Sequence, residues 1–416
     1  MLRRSTAELV REEVVSSPAA PPRDRGSYGW SFWLTFANNA CLMIAASLFF
    51  RYSDFVKAVG GSELNLSWIV GVGMIGSIVM RLAQGVGIDR YGSRRWWVWS
   101  VGLFIVSCLA HLAIGRADTI AIYAVRILYA ASLAGAFGAS ITFVSRTAPL
   151  ARTAEFVGTL GSSGFIGMVV GSKLGDFLCS GATRAELDRL FLTAAGLGLA
   201  ALLFAALATR YEVRPARRRR PHLLYLLKRY HGGMVMLVAV AMGVGIGLPT
   251  IWLRPFLATL GIDTIGWFFL VYAVTAFITR LSIRRMPEKI GIRPMIYIGL
   301  ASMVGSMLAY LPVRTEWQAA VPAVLGGIAH AILFPAVVAG GSAVFPPRHR
   351  GVGTTLTLGA FDVGAVIGPP VAGGLLFLAK RSHLPAYPTM FLCMAGILTS
   401  VGVVYGFASR RKQPRA

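Results

Sequence analysis

Apolar positions in this chain neither alternate nor recur every three to four residues; they run together. Runs of about 18–25 residues with few charges follow one another along nearly the whole length, which is what a helix needs to cross roughly 30 Å of hydrocarbon. They predict twelve membrane spans. Six fall at 29–50, 66–85, 96–114, 119–144, 154–179 and 188–209, and six at 233–255, 263–283, 295–313, 318–345, 353–379 and 387–408. Several contain Gly or Pro, which is tolerated where neighbouring helices re-satisfy the backbone.

Composition agrees. Of 416 residues, 56% are apolar or aromatic, about 233 side chains, close to the roughly 240 that twelve spans of about 20 require. Charged residues reach only 14%, well below the roughly one quarter of a soluble domain. A soluble enzyme, a disulfide scaffold and a disordered chain are excluded. The net charge of +24, from 41 Lys+Arg against 17 Asp+Glu, would suggest nucleic acid in a soluble protein. Here about four in five of the lysines and arginines outside the spans lie on the side shared by both termini, with Arg189 and Arg280 counted with the loops they border. That bias predicts a multi-pass protein of the cytoplasmic (inner or plasma) membrane with both termini cytoplasmic. Its basic loops would meet anionic lipid, and no nucleic-acid partner is implied.

The longest connector, 210–232, carries Arg217 to Arg220 and splits the spans six and six. The expected organisation is a cytoplasmic tail at 1–28, a first half at 29–209, a basic linker at 210–232, a second half at 233–408 and a short tail at 409–416. The halves match weakly. Asp89-Arg90-x-Gly92-x-Arg94 returns 199 residues later as Glu288-Lys289-x-Gly291-x-Arg293, Pro149-x-x-Arg152 returns as Pro347-x-x-Arg350, and Gly171 matches Gly368. Two parallel six-helix repeats are a transporter architecture, with the site near mid-membrane between them.

The run from Gly85 to Arg95, GVGIDRYGSRR, resembles the first signature of the major facilitator superfamily, G-x-x-x-D-R-x-G-x-R-R. Arg126 resembles the start of that family's second signature, although Tyr129-Ala130 replaces its Gln-Gly. GFIGMVVGSKLGD (Gly164 to Asp176) is similar to the antiporter signature of the fifth span, with Ser172 in place of Pro; the eleventh span, FDVGAVIGPPVAGG, carries the proline version. The resemblance implies an all-α fold of twelve transmembrane helices, with spans one, four, seven and ten lining the cavity. It also implies a loop latch that holds the halves together, drawn here from Arg81, Asp89, Arg90, Gly92, Arg94 and Arg95, with Glu288, Lys289 and Arg293 as the repeat counterparts. The alternative for these is a solvated basic loop that only sets topology.

Charges inside the membrane are costly and point to function. Arg81 and Asp362 are expected to pair when the cytoplasmic side is closed, or else Asp362 bonds within its own half. Arg126 and Lys173 sit at similar depth on adjacent spans, with Asp176 one turn from Lys173. They form either an anion site on the cavity or a network neutralised by Asp176. Asn38 and Asn39 lie at mid-depth of span one and cannot both face the lumen. His330, mid-span, is a proton carrier, a neutral donor to solute or a packing residue. Coupling falls to Asp176, Asp362 or His330, since spans one and four show no carboxylate. Gly167, Gly171 and Gly175 in the fifth span, and Gly364, Gly368 and Pro369 in the eleventh, read as packing and bending positions. Arg254 reads as snorkelling to the interface.

Four cysteines without a C-x-x-C pair, six scattered histidines and the lack of any H-E-x-x-H or G-x-x-x-x-G-K-[ST] run give no metal, cofactor or enzyme signature. The expectation is a monomeric secondary transporter of a small organic solute, with proton-coupled efflux ahead of organic-anion import or exchange. A membrane sensor or embedded enzyme stands outside both.

Overall fold

The computed structural model describes residues 28–149, 152–210, 233–283, 289–345 and 350–410. The helices follow the apolar runs. Span one is Trp30–Ala58, in which Trp30–Leu48 passes through a 3-10 turn at Phe49–Arg51 into Tyr52–Ala58. Span two is Glu63–Gly73 and Ile75–Tyr91, joined at Met74; three is Ser93–Ala110, four Ile120–Thr147, five Thr153–Leu178 and six Arg184–Ala208. In the second half, seven is Met234–Ala258, eight Gly266–Ser282, nine Ile292–Ala309, ten Ala320–Ala343, eleven Arg350–Arg381 and twelve Ala386–Arg410. Among the described residues ten helices are long and apolar enough to cross a membrane. Span five, with six glycines and three serines, and span eight, with 17 residues, complete the twelve.

One boundary differs in a way that matters. Hydropathy ends span one at residue 50, but the helix continues to Ala58 because Arg51 and Asp54 are neutralised by partners and need no water. The next helix starts at Ser62, whose side chain accepts from the Asn65 N–H while the Asn65 side chain accepts from the Ser62 N–H. Most of the expected linker and both tails lie outside the described residues.

The two halves are built alike. Span one packs on five and six, three on four and six, and two on four; seven packs on eleven, nine on ten and twelve, and eight on ten. Close backbone approach fixes the first of these contacts in each half. A Cβ added at Gly171 would lie 2.4 Å from Ile44 O, and one at Gly167 would lie 2.9 Å from Ile44 N. At Gly364 it would lie 2.0 Å from Val240 O, and at Gly368, 3.2 Å from the Val244 Cα. Gly175 is different: its nearest neighbour, Arg51, is at ordinary contact distance, 3.6 Å. Pro369 lies inside the span-eleven helix, and its neighbour Pro370 packs on Gly71 of span two. Gly92 and Gly291 precede spans three and nine with φ of 85° and 80°, a left-handed conformation that glycine adopts without strain.

The halves meet along two seams, span two against eleven and span five against eight, and where span one touches seven. Below, the tail end of the bundle is the one holding Trp30 and Arg410; the far end is opposite.

Candidate solute pathway between the halves

At the far end, five charged side chains form one chain of contacts. Asp54 Oδ2 accepts from Arg51 Nε at 3.1 Å and from Arg254 Nε of the second half at 3.0 Å. Arg51 Nη1 donates to Asp176 Oδ1 at 3.0 Å, and Asp176 Oδ2 accepts from the backbone N–H groups of Ile265 and Gly266 at 2.9 and 2.7 Å. A carboxylate at the start of span eight satisfies two orphan donors and opposes the helix dipole. Arg254 also holds Asp263 at 3.2 Å. Asp54, Arg51 and Arg254 are all buried. Glu63 adds a third tie between the halves, accepting from Lys380 at 2.6 Å and Tyr387 at 2.7 Å.

Asp54 and Arg254 are 200 residues apart, the separation that also relates Ala40 and Ile44 to Val240 and Val244 at the glycine contacts. Two residues related by a pseudo-two-fold can touch only near its axis. The pair therefore sits on the axis that relates the halves.

Several sequence expectations change here. Asp176 neutralises Arg51, not Lys173 or Arg126. Lys173 is on the exposed side of span five with its stem against Gly266, so it does not join Arg126 in a cavity site; its long chain reaches outward instead. Arg254 is an ion-pair partner rather than a snorkelling residue. Span one carries a buried carboxylate after all, Asp54, missed because the apolar run stops before it. Asn38 is fully buried and donates to Ala201 O of span six at 2.6 Å, which turns it away from the other half. Asn39 is also buried, with its Oδ1 lacking a protein partner.

Arg126 lies inside the first half. Its guanidinium carbon is 4.3 Å from the Tyr52 ring centre, 4.6 Å from Tyr129 and 5.6 Å from Phe49, and its Nη1 is buried without a hydrogen-bond acceptor. Ring faces compensate a cation only partly.

At the seam of spans two and eleven, Asp362 is 1% exposed. It accepts from Ser77 Oγ at 3.0 Å, from Arg81 Nη2 at 3.3 Å and more closely from Arg81 Nε. The two residues expected to pair do so, but here with the far end sealed, whereas the expectation was for a closed cytoplasmic side. At the seam of spans five and eight, Arg280 has its guanidinium 5.4 Å from the centre of the Phe165 ring. Beside it, Tyr272 Oη and His330 Nδ1 are 2.9 Å apart, and the Phe165 and His330 rings are 5.7 Å centre to centre. Phe165 packs with Ala273, Ala276 and Ala331, so this cluster joins both halves. Among the described residues no carboxylate pairs with Arg280. By hydropathy Arg280 counts with the loop it borders; the 199-residue offset that carries Gly92 to Gly291 also carries Arg81 to Arg280.

Of the expected latch, Glu288 and the Asp89 side chain lie outside the described residues. Arg90, Arg94, Arg95, Lys289 and Arg293 are exposed at the tail end. Among the described residues, no group of three or more His, Cys, Asp or Glu is placed to hold a metal ion.

The family model for the Major Facilitator Superfamily matches residues 29–315 and 233–416. The chain belongs to the Major Facilitator Superfamily. Two curated relatives, both named putative tartrate transporter and both from Agrobacterium vitis, are 29% identical over 143 residues, 34% of this chain and 31% and 32% of theirs. The chain thus matches about a third of the length of these relatives. Among solved structures it is similar to the nucleoside transporter NupG (D323A mutant), with TM-score 0.78 and 11% identity over 91% of this chain and 100% of that one. A bacterial homolog of the human lysosomal transporter Spinster, inward-facing and occupied, gives TM-score 0.72 and 15% identity over 92% and 98%. A D-xylose-proton symporter gives 0.68 and 17% over 91% and 97%. At these identities the likeness is one of fold. The chain is accordingly a multi-pass membrane protein of this superfamily.

Proposed function

We propose that this protein moves a small organic anion across the cytoplasmic membrane by alternating access between its two halves. The observation that carries the reading is a charge imbalance. The buried or half-buried acids Asp54, Asp176 and Asp362 are each held by an arginine, whereas Arg126 and Arg280 have no carboxylate partner among the described residues. An uncompensated cation in a low-dielectric interior is costly, and an anionic solute would neutralise it. The name of the partial relatives, putative tartrate transporter, supports the same class. With the basic tail end cytoplasmic, as the loop charges favour, the far-end ties close the outer face and leave solute to load from the cytoplasm. The exposed arginines and lysines of that end then lie at the level of anionic headgroups.

A second reading, proton-coupled export, is favoured by Asp362, a buried carboxylate on a seam that must move. Purified protein in liposomes, given labelled mono-, di- and tricarboxylates with and without a pH gradient, separates the two. Carboxylate exchange that persists without the gradient is the expected result; transport of neutral or cationic solutes alone, lost when the gradient collapses, would favour export by proton antiport.

A further inference from the structure

The two seams are copies of each other, and they differ at one pair of positions. Arg81 precedes Gly92 by eleven residues, and Arg280 precedes Gly291 by the same number; both glycines hold the left-handed turn that opens the next span. Asp362 precedes Gly368 by six residues, and Phe165 precedes Gly171 by the same number, with both glycines packed on the backbone or side chain of the equivalent partner span. The repeat therefore superposes Arg280 on Arg81 and Phe165 on Asp362. The contacts obey it: Arg81 binds Asp362, and Arg280 lies over Phe165. One seam has its acid built in. At the other the acid is replaced by an aromatic ring, while the arginine is kept, half-buried between the halves.

We propose that the missing acid is the solute's own: Arg280, lying over Phe165, whose ring also meets His330, is the binding site for a carboxylate group of the transported anion. A guanidinium presents a planar fork that matches a carboxylate with two parallel hydrogen bonds. The Phe165 ring holds that fork without satisfying its N–H groups. The Tyr272–His330 pair sets one hydroxyl and one ring nitrogen within the same cluster, next to hydroxyl or carboxyl groups elsewhere on the ligand. Because Phe165 belongs to the first half and Arg280 to the second, a carboxylate bound here sits at the seam between the lobes. This rests on the reading of the protein as an organic-anion carrier and assigns that anion its anchoring residue.

The test is thermal unfolding of the purified, full-length protein in detergent, titrated with acetate, lactate, tartrate and citrate, and with threitol as a neutral control. Ligands that bind the native state raise the unfolding temperature. Wild-type protein should be stabilised by at least one carboxylate and not by threitol. Arg280→Gln should abolish that shift. Phe165→Asp supplies the acid from within the chain and should also abolish it, while Phe165→Asn, of nearly equal size and uncharged, should keep most of it. If Arg280→Gln does not fold, the Phe165 pair decides alone. Carboxylate stabilisation that survives Arg280→Gln or Phe165→Asp overturns the site, reduces Arg280 to a cation at the end of its helix, and leaves organic-anion transport standing. If no carboxylate stabilises the wild type, the anion reading falls and this site with it.

Discussion

Span two against eleven and span five against eight are the same joint built twice, and they are finished differently. The first is closed by Arg81, Ser77 and Asp362, a buried acid with three donors. The second has the same arginine opposite a ring and two polar side chains that bond to each other. A self-satisfied pair serves stability and register. An arginine without an acid contributes little to stability, and under the proposed function a solute passing between the halves would meet it. The difference teaches where function sits in a duplicated fold: at the position where the copies stop agreeing.

That comparison can be broken most sharply by deleting each arginine in turn. Arg81→Ala strands Asp362 at 1% exposure with only Ser77 as donor, and removing one partner of a buried pair costs about 3–5 kcal/mol. Circular dichroism or fluorescence melts should show a large loss. The reciprocal double change, Arg81→Asp with Asp362→Arg, should recover most of it. Asp54→Asn removes one charge-assisted link across the axis, worth about 1.5–3 kcal/mol. Because Asp54 ties the halves only at the far end, the loss should appear as a larger far-end-open population, read by reagent accessibility of cysteines placed there, beside any lowering of the melting temperature from the weakened Arg51 pair within the first half. Gly364→Ala, where a Cβ would lie 2.0 Å from Val240 O, should cost about 1–3 kcal/mol through overpacking of spans seven and eleven. Gly175→Ala, with its nearest neighbour at 3.6 Å, should be close to neutral in the same melts. Arg280→Ala should likewise cost little, below about 1 kcal/mol, since no ion pair is lost. A loss there as large as that of Arg81→Ala would mean that the second seam hides an acid partner and that the two joints are alike.

Much of this was legible in the chain. Twelve apolar runs, the basic loops and the recurring Gly92 and Gly291 motifs give the fold because lipid leaves helices few alternatives. The Arg81–Asp362 pair was readable because a lone acid in hydrocarbon demands a partner. What was not legible follows from the same physics. Hydropathy ends a span where charges begin, so Arg51 and Asp54 fell into a loop although their mutual pairing lets the helix carry them inside. Lys173, Asp176 and Arg126 were adjacent by depth, but depth does not give azimuth; Asp176 turns to Arg51, Lys173 turns outward and Arg126 turns into its own half. Asn38 looked like a lumen residue and spends its amide on the Ala201 carbonyl. Arg280 was hidden by its place in the last turn of its helix, and only the internal repeat exposes it.

Alternating access here requires a far end that opens and closes about the Asp54–Arg254 axis. Lys57 and Thr259 lie just beyond that pair, one in each half, and both are exposed. Spin labels on cysteines at these two positions, in an otherwise cysteine-free background, report the distance between the lobes by pulsed electron resonance. A single short distance is predicted for otherwise unaltered protein without solute, joined by a second, longer population when Asp54→Asn is added. One unchanging distance in both proteins would contradict alternation about this axis.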